Sequence, residues 1–500
     1  MTMALTEDEK ASSSFAEDTQ RTRLQRWFAP TTEYLAHWGI ETNGIDPILP
    51  EDRTDTKLYQ MFFVWFSANM NVLGFGTGSS GPAFFGLGLR DSFVILVIVD
   101  LISCVIPAYF AVFGPKLGMR SMVLARYSWG YFGSIFPGAF TVFSMQGFLI
   151  LNCIIGGQTL ASVSSHLDDT LGIIIIGILS LIVTFFGYRV IHWYETVAWI
   201  PSVITFVVIL GLGGKHLTQA PVPPPPTTST ILSFATTIAS SVISWCIMTP
   251  DYGVYHTNKA SSTRIFLYSY AGFFLSSLTS HLLGAAFAAA APGVPSWEAG
   301  FDNGNNAGGL IRAVLSPSGG FGKFLTVLLA LSVPSTCAPT LYTFASSFMA
   351  IHANFARVPR YVYIFISEAI LIPVAIIGAR HFYATFVDVM NVIGYWSTVF
   401  AAIVIAEHVV FRQNDWERYD LSQYCQPNGL PLGLAAILAF LCACGIIVPC
   451  MSQAWYVGPI ANAGTGDIGI IVGFALAGMT NSMDNFQQSL VDEYEARIRC

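Results

Sequence analysis

The sequence predicts an all-α membrane protein with about twelve transmembrane helices, and three observations support this fold class. Of its 500 residues, 53% are hydrophobic and only 11% are charged, whereas soluble chains carry roughly 25% charged residues. Apolar runs of about 20 residues, the length of a helix that crosses a bilayer, recur from Gln60 to near residue 480. Lys and Arg are shared unequally among the connecting segments. We therefore expect a lipid bilayer to cover much of the molecule.

The predicted spans follow one another closely, which favours a single transmembrane domain over residues 60–480. They centre near residues 70, 100, 148, 180, 205, 241, 278, 335, 370, 395, 441 and 473. Residues 1–59 contain no apolar run of comparable length. We interpret 1–59 and 481–500 as tails outside the bilayer.

The orientation follows from the distribution of positive charge. With the N-terminus in the cytosol, the loops on the cytosolic side contain ten Lys and Arg and the outer loops contain four. Cytosolic loops of membrane proteins carry such an excess. The sequence therefore predicts an even number of spans with both tails in the cytosol, and we expect the plasma membrane as the location.

Two spans are poorly suited to a continuous helix. The first contains four glycines and a proline between Gly74 and Pro82, and the sixth contains Thr249-Pro250-Asp251-Tyr252-Gly253. Interrupted helices in corresponding positions of two repeats are the best sequence indication of a transporter's binding site. We predict breaks near Gly74–Gly78 and Thr249–Gly253; the alternative for the glycines is close helix packing.

The segment Pro221–Pro226 separates the fifth predicted span from the sixth. Proline-rich stretches form stiff, extended connectors. Two five-helix halves would be joined at this point, which predicts a first repeat over 60–214 and a second over 231–408. Residues 432–480 then supply two further helices.

Several stretches in this order resemble the purine–cytosine permeases of fungi, within the nucleobase–cation symporter family. They include FGPKLGMRSMVLARYSWG at 113–130, GYRVIHWYE at 187–195, NVIGYW at 391–396, EHVVFR at 407–412 and GDIGIIVGFALAG at 466–478. The resemblance covers nearly the whole chain. It implies the inverted five-helix repeat of LeuT-like transporters plus two helices, and secondary active transport by alternating access.

The resemblance also implies a binding site in which aromatic rings hold a flat solute and amide side chains meet its edge. Trp245 matches the family's stacking tryptophan, and Asn152 matches its base-binding amide. Phe148 stands where the family usually has a second tryptophan. Gly74, in the interrupted first span, is a further expected site residue.

The eighth span departs from the family pattern. Where the family typically shows Asn-Asn-x-Pro-Asn, this chain has Thr336-Cys337-Ala338-Pro339-Thr340. Thr336, Pro339 and Thr340 are expected in the site, although helix packing is an equal alternative for the threonines. A nucleobase such as cytosine or a purine is the expected solute. The lost amides argue against cytosine, adenine and hypoxanthine, so a pyridoxine-like ring or a fungal secondary metabolite is the alternative.

The coupling ion is expected to be a proton, as the resemblance to fungal members implies. Glu195 and Asp100 are the candidate carriers, because carboxylates inside a membrane are costly unless they function. The alternative for Glu195 is a salt bridge to Arg189 at the cytosolic edge. If the ion is instead sodium, Ser335 and the backbone near 68–71 are the candidate ligands.

Other classes of protein find little support in the sequence. The histidines are dispersed and no Cys-x-x-Cys or His-x-x-x-His pattern is present, so we expect neither an enzyme nor a bound metal or cofactor. The net charge of −7 includes no basic patch suited to nucleic acid. Asp251, at the predicted break in the sixth span, is interpreted as a helix cap. The expected partners are the heterocyclic solute, a proton and the bilayer.

Overall fold

The computed structural model describes residues 44–185 and 188–481, together with positions 27, 28, 30–32 and 34; the side chains at 185, 188–193 and 195 lie outside the description. The regular structure of these residues is helical apart from two isolated β-bridges, Asp55 with His256 and Ser452 with Val457. The molecule is therefore an all-helical protein over the part described.

Within residues 44–185 and 188–220, ten α-helices precede the proline-rich connector. They are α1 Gln60–Asn69, α2 Val72–Ala83, α3 Leu89–Ser103, α4 Val105–Phe110, α5 Phe113–Leu117, α6 Ser121–Leu124, α7 Arg126–Gly133, α8 Ile135–Ala161, α9 Asp169–Phe185 and α10 Tyr188–Gly213.

Eleven helices follow the connector. They are α11 Thr228–Ile243, α12 Ser262–Ala290, α13 Pro295–Phe301, α14 Ala307–Leu315, α15 Gly319–Ala330, α16 Pro334–Ile351, α17 Ala353–Ala356, α18 Arg360–Gly378, α19 Phe382–Ala406, α20 Leu434–Cys450 and α21 Gly469–Asn481. Each predicted span centre lies in one of these helices, except the first, which lies between α1 and α2.

The outer faces of the helices are apolar. Seven helical stretches in the described residues are long and apolar enough to cross a membrane, and α9, α20 and α21 belong to a shorter apolar class. On α3 the exposed side chains include Val94, Val97, Ile98, Leu101 and Ile102. Helices satisfy their own backbone hydrogen bonds, so such faces are stable in lipid and would be unfavourable in water.

The first broken helix is interrupted earlier than the glycines predict. Helix α1 ends at Asn69, Met70 has φ −84° and ψ 66°, and Asn71 is extended before α2 begins. The glycines from Gly74 onward all lie inside α2. The prediction of a break at Gly74–Gly78 is therefore wrong, and the alternative reading of these glycines is the correct one.

Close packing explains the glycines of α2. A Cβ on Gly78 would lie 1.9 Å from the carbonyl oxygen of His281 on α12, and a Cβ on Gly284 would lie 1.9 Å from that of Phe75. Small residues let helix backbones approach this closely in membranes. Gly74 also faces α12, whereas Gly76 and Gly81 face side chains of α8 and α11.

The second break lies where the sequence predicts it and begins slightly earlier. Helix α11 ends at Ile243, and the chain continues in two 3₁₀ turns, Ser244–Ile247 and Thr249–Tyr252. Met248 between them has φ −129°. Pro250 favours the interruption because it removes a backbone donor.

The segment before α1 is joined to the loop after the second break. The Asp55 N–H donates to the Tyr255 carbonyl at 3.1 Å, and the Thr257 N–H donates to the Asp55 carbonyl at 2.9 Å. His256 is buried between them, and burial lowers its pKa below the ordinary value, so the ring stays neutral at pH 7. The two broken helices are thus connected by their flanking segments.

Candidate functional site

A small cavity lies where the two breaks meet. Its volume is about 30 Å³, which is room for the centres of one or two water molecules. The walls come from the first broken helix, α8, the end of α11 with the turn after it, α12, α16 and α19. The lining residues are Ala68, Asn69, Asn71, Leu73, Gly74, Thr77, Phe148, Ser241, Val242, Trp245, Ser277, His281, Thr336 and Met390.

Four of the predicted site residues line this cavity: Gly74, Phe148, Trp245 and Thr336. The rings of Phe148 and Trp245 have centroids 6.2 Å apart and planes inclined by 33°. A planar ring between them would need about 7 Å, twice a contact distance of about 3.5 Å. The space between the two rings is therefore too narrow for a planar solute, and the rings must separate to hold one between them.

Three other predicted substrate residues do not line the cavity: Asn152, Pro339 and Thr340. The Asn152 amide donates to the Phe148 carbonyl at 2.9 Å, and its Oδ1 is buried without a hydrogen-bond partner among the described residues. The Thr340 hydroxyl donates to the Thr336 carbonyl at 2.7 Å. In this conformation Asn152 and Thr340 bond within their own helices, and Pro339 is part of buried α16.

Asn71 is one of the cavity-lining residues that sequence reasoning missed. Its Oδ1 accepts from the Gly74 N–H at 3.0 Å, and its Nδ2 donates to the Ala68 carbonyl and to the Thr336 hydroxyl, both at 2.6 Å. The Thr336 hydroxyl in turn donates to the Ala68 carbonyl at 2.8 Å. Asn71 therefore caps α2 and bridges the break to α16. An asparagine just before an apolar run is a recognisable N-cap signal.

Of the candidate ion-coupling residues, Asp100 lies beside the cavity wall. Its carboxylate meets His281 Nδ1 at 2.9 Å from Oδ2 and 3.1 Å from Oδ1, and His281 lines the cavity. Ser335 donates to the Ser332 carbonyl at 2.6 Å and does not line it. The side chain of Glu195 lies outside the described residues. His281 was not predicted, because only the packing of α3 against α12 brings the pair together.

Asp251 does not cap the half-helix that follows it, contrary to the sequence interpretation, and instead accepts from the first N–H of α6. It lies inside the second 3₁₀ turn. Its Oδ1 accepts from the Ser121 N–H at 2.6 Å, and its Oδ2 accepts from the hydroxyls of Thr343 at 3.1 Å and Ser346 at 3.4 Å. The carboxylate thus ties the second break to α6 and α16.

The described residues contain no candidate metal site, since no group of three or more of their His, Cys, Asp or Glu side chains could hold a metal ion. The polar atoms of the cavity wall are instead amides, hydroxyls, backbone groups and one imidazole. Such groups can form hydrogen bonds with the edge of a solute.

The family is decided by a match over most of the chain. Residues 47–473 match the family model described as a permease for cytosine/purines, uracil, thiamine and allantoin. The chain belongs to this permease family. It is therefore an integral, multi-pass membrane transporter and not an enzyme, as the sequence resemblance implied.

Individual relatives agree with this assignment. The permease is 34% identical over 455 residues to the purine–cytosine permease fcyB of Emericella nidulans, covering 90% of this chain and 89% of the relative. It is 25% identical over 529 residues to the vitamin B6 transporter TPN1 of Saccharomyces cerevisiae, covering 94% and 91%. These similarities cover nearly the full length of each partner.

The fold is also that of a solved transporter. The structure of Mhp1, a nucleobase-cation-symport-1 family transporter in a closed conformation with bromovinylhydantoin bound, aligns with a TM-score of 0.65 at 15% identity. The alignment covers 90% of the permease and 95% of Mhp1. At this identity the likeness shows the fold, which is LeuT-like as expected.

Proposed function

We propose that the permease is a secondary active transporter of a small planar heterocycle of the nucleobase type, coupled to protons and working by alternating access. The observation that carries this proposal is the cavity between the two breaks. One side offers aromatic faces and the other offers amides and hydroxyls. A nucleobase has the complementary surface, since it combines two π faces with a rim of donors and acceptors.

The polar side of the cavity supports recognition of a heterocycle's edge. Asn69 and Asn71 from the first broken helix and Thr336 from α16 all line it. The family pattern would put asparagines on α16, and this chain has threonines there. We infer that amides of the first broken helix take over part of that role, while Trp245 and Phe148 hold the ring faces.

Alternating access requires the closed cavity to open toward each side in turn. We propose that residues 60–214 and 231–408 are the two inverted halves and that 432–480 add two helices. Together they form twelve spans, with the tails 1–59 and 481–500 in the cytosol and the plasma membrane as the location. The proline-rich connector between the halves and the paired interruptions support this division.

A second candidate solute is a ring that carries hydroxyls, such as pyridoxine. The hydroxyls of Thr336, Ser241 and Ser277 in the cavity wall favour it, and a relative is named as a vitamin B6 transporter. A fungal secondary metabolite is the remaining alternative from the sequence. These solutes differ in the hydrogen-bonding groups at the edge of the ring, so uptake measurements on a panel of such compounds distinguish them.

The test is uptake by a yeast strain that lacks its own nucleobase and vitamin B6 permeases. Radiolabelled cytosine, adenine, hypoxanthine, uracil and pyridoxine are supplied separately, with an empty-vector strain as control. We expect saturable uptake of at least one ring that disappears when a protonophore collapses the gradient. Uptake that does not saturate, or that does not depend on the proton gradient, would overturn the proposal.

A further inference from the structure

We propose that the coupling proton binds to the pair formed by Asp100 and His281, which passes its protonation state to the first broken helix. This inference rests on the proposed proton coupling and assigns it to two residues. His281 lines the cavity, and both Asp100 oxygens lie within 3.1 Å of its Nδ1. The contact joins α3 to α12 across the membrane domain.

The pair is suited to carry one proton. The Asp100 side chain is fully buried and that of His281 is 5% exposed. A buried carboxylate is stable only with a partner, and here the partner is itself a titratable ring. The contact thus places a carboxylate oxygen and a ring nitrogen 2.9 Å apart, where one proton can lie between them. Since Nδ1 faces the carboxylate, Nε2 is the ring atom left to exchange protons with the cavity.

Other titratable groups near this pair are few. Among the packed elements, α1, α2 and α11 contain none. The other neighbouring elements, together with α3 and α12 themselves, contain a small set of described titratable groups: Arg90, Asp91, Cys104, Tyr109, Tyr194, Arg264, Tyr268 and Tyr270, with Lys215 and His216 in the turn that meets the end of α12. The Tyr270 hydroxyl donates to the Leu101 carbonyl at 2.9 Å. Within the described residues, none of these groups hydrogen-bonds to Asp100 or His281 through its side chain.

The position of His281 connects the proton to the solute. The neighbouring Ser280 hydroxyl donates to the Asn69 carbonyl at 3.3 Å, at the end of α1. Gly78 of α2 packs directly on the His281 carbonyl oxygen. The part of α12 that carries this ring therefore contacts both sides of the first break. Differential stabilisation of one conformation is what coupling requires.

A second buried carboxyl offers a matched control. Glu368 on α18 is 5% exposed, and both its carboxyl oxygens are buried without a hydrogen-bond partner among the described residues. It faces Gly177 of α9, where a Cβ would lie 2.5 Å from Oε1, and it does not line the cavity. A carboxyl in such surroundings is expected to stay neutral, so Glu368→Gln changes little.

The test uses purified full-length protein in liposomes with radiolabelled cytosine, or pyridoxine if the uptake panel selects it. Two modes are compared: solute exchange without a gradient, and accumulation driven by an inside-alkaline gradient of one pH unit. Such a gradient supports about tenfold accumulation with one proton per solute. We expect Asp100→Asn, His281→Gln and the double variant to lose more accumulation than exchange, so that the ratio of the two falls below that of the wild type, with a flattened pH profile. Glu368→Gln should behave as wild type.

The outcomes separate the inference from the proposed function. Accumulation in the double variant equal to wild type, with an unchanged pH profile, would overturn the pair's role while leaving the transporter intact. Absence of gradient-driven accumulation in the wild type itself would overturn proton coupling. The double variant retains groups able to hydrogen-bond to each other, and its thermal unfolding shows whether the fold survives. Should it not survive, His281→Gln and substrate-induced proton uptake, read by a dye inside the liposomes, decide the matter.

Discussion

The two broken helices differ in how their free backbone groups are satisfied. At the first break, one side chain, Asn71, caps α2 and bonds to Ala68 and Thr336. At the second break, the chain turns through 3₁₀ geometry and is held by Asp251, whose partners lie on α6 and α16. The residues that bond to one another at the first break line the cavity. Asp251 and its partners at the second break do not line it.

Because of this difference, the two breaks present different kinds of groups to the cavity. Because the first break is bridged by an amide and a hydroxyl, its polar groups face the cavity and suit the edge of a solute. Asp251 holds the second break through residues that do not line the cavity. The second break therefore presents the apolar face of Trp245 to the cavity, in contact with Phe148 and Trp65. We therefore propose that the first break contributes mainly polar groups for the edge of a solute and that the second contributes an aromatic face.

The largest expected effect comes from Gly78→Ala, which forces the first broken helix away from α12. The added Cβ would lie 1.9 Å from a backbone oxygen, and overpacking of this kind costs about 3 kcal/mol or more. We expect loss of folded protein at the cell surface and in detergent. Gly211→Ala on α10, where no atom lies within 4 Å of the new Cβ, is the control. Normal yield of the Gly78 variant would mean that α2 and α12 are not packed this closely.

Asn71→Ala should weaken the first break itself. It removes a helix cap, worth about 1 kcal/mol, and two buried hydrogen bonds, each worth about 1 kcal/mol. We expect thermal unfolding of the purified protein at a markedly lower temperature, and weaker solute binding. Asn69→Ala is a matched amide removal, since within the described residues that side chain makes one hydrogen bond, to the Trp65 carbonyl at 3.0 Å. Equal stability losses in the two variants would contradict the bridging role of Asn71.

Trp245→Ala tests the second break, and we expect it to affect solute affinity more than stability. Loss of a stacking face is worth about 1–3 kcal/mol, or roughly five- to 150-fold in affinity. Competition binding of the solute to the purified protein measures it. Trp455→Ala removes an exposed tryptophan outside the cavity and should leave affinity unchanged. Unaltered affinity of the Trp245 variant would remove the aromatic face from the proposed site.

The sequence contained the fold but not the contacts of the site. Span length depends on composition, so eleven of the twelve predicted centres lie in helices of the described residues. The first break was misplaced because glycine permits both bending and close packing, and only the position of α12 distinguishes the two. Asn152 was expected at the solute, yet it bonds to its own helix. The Asp100–His281 contact joins residues from two distant spans, which no local pattern reveals.

The smallest effect is expected from restoring the family's asparagines on α16, and it separates the two breaks most sharply. Thr336 lines the cavity, whereas Cys337 and Thr340 do not. If edge recognition belongs to the first break and its partner on α16, Thr336→Asn alone should shift preference toward cytosine over pyridoxine. One added pair of hydrogen bonds is worth about 1 kcal/mol, or roughly fivefold in relative affinity. Thr340→Asn, one turn away, should change the preference much less. A shift that appeared only with Thr340→Asn would place edge recognition deeper along α16 than the described cavity, and would end the division of roles between the two breaks.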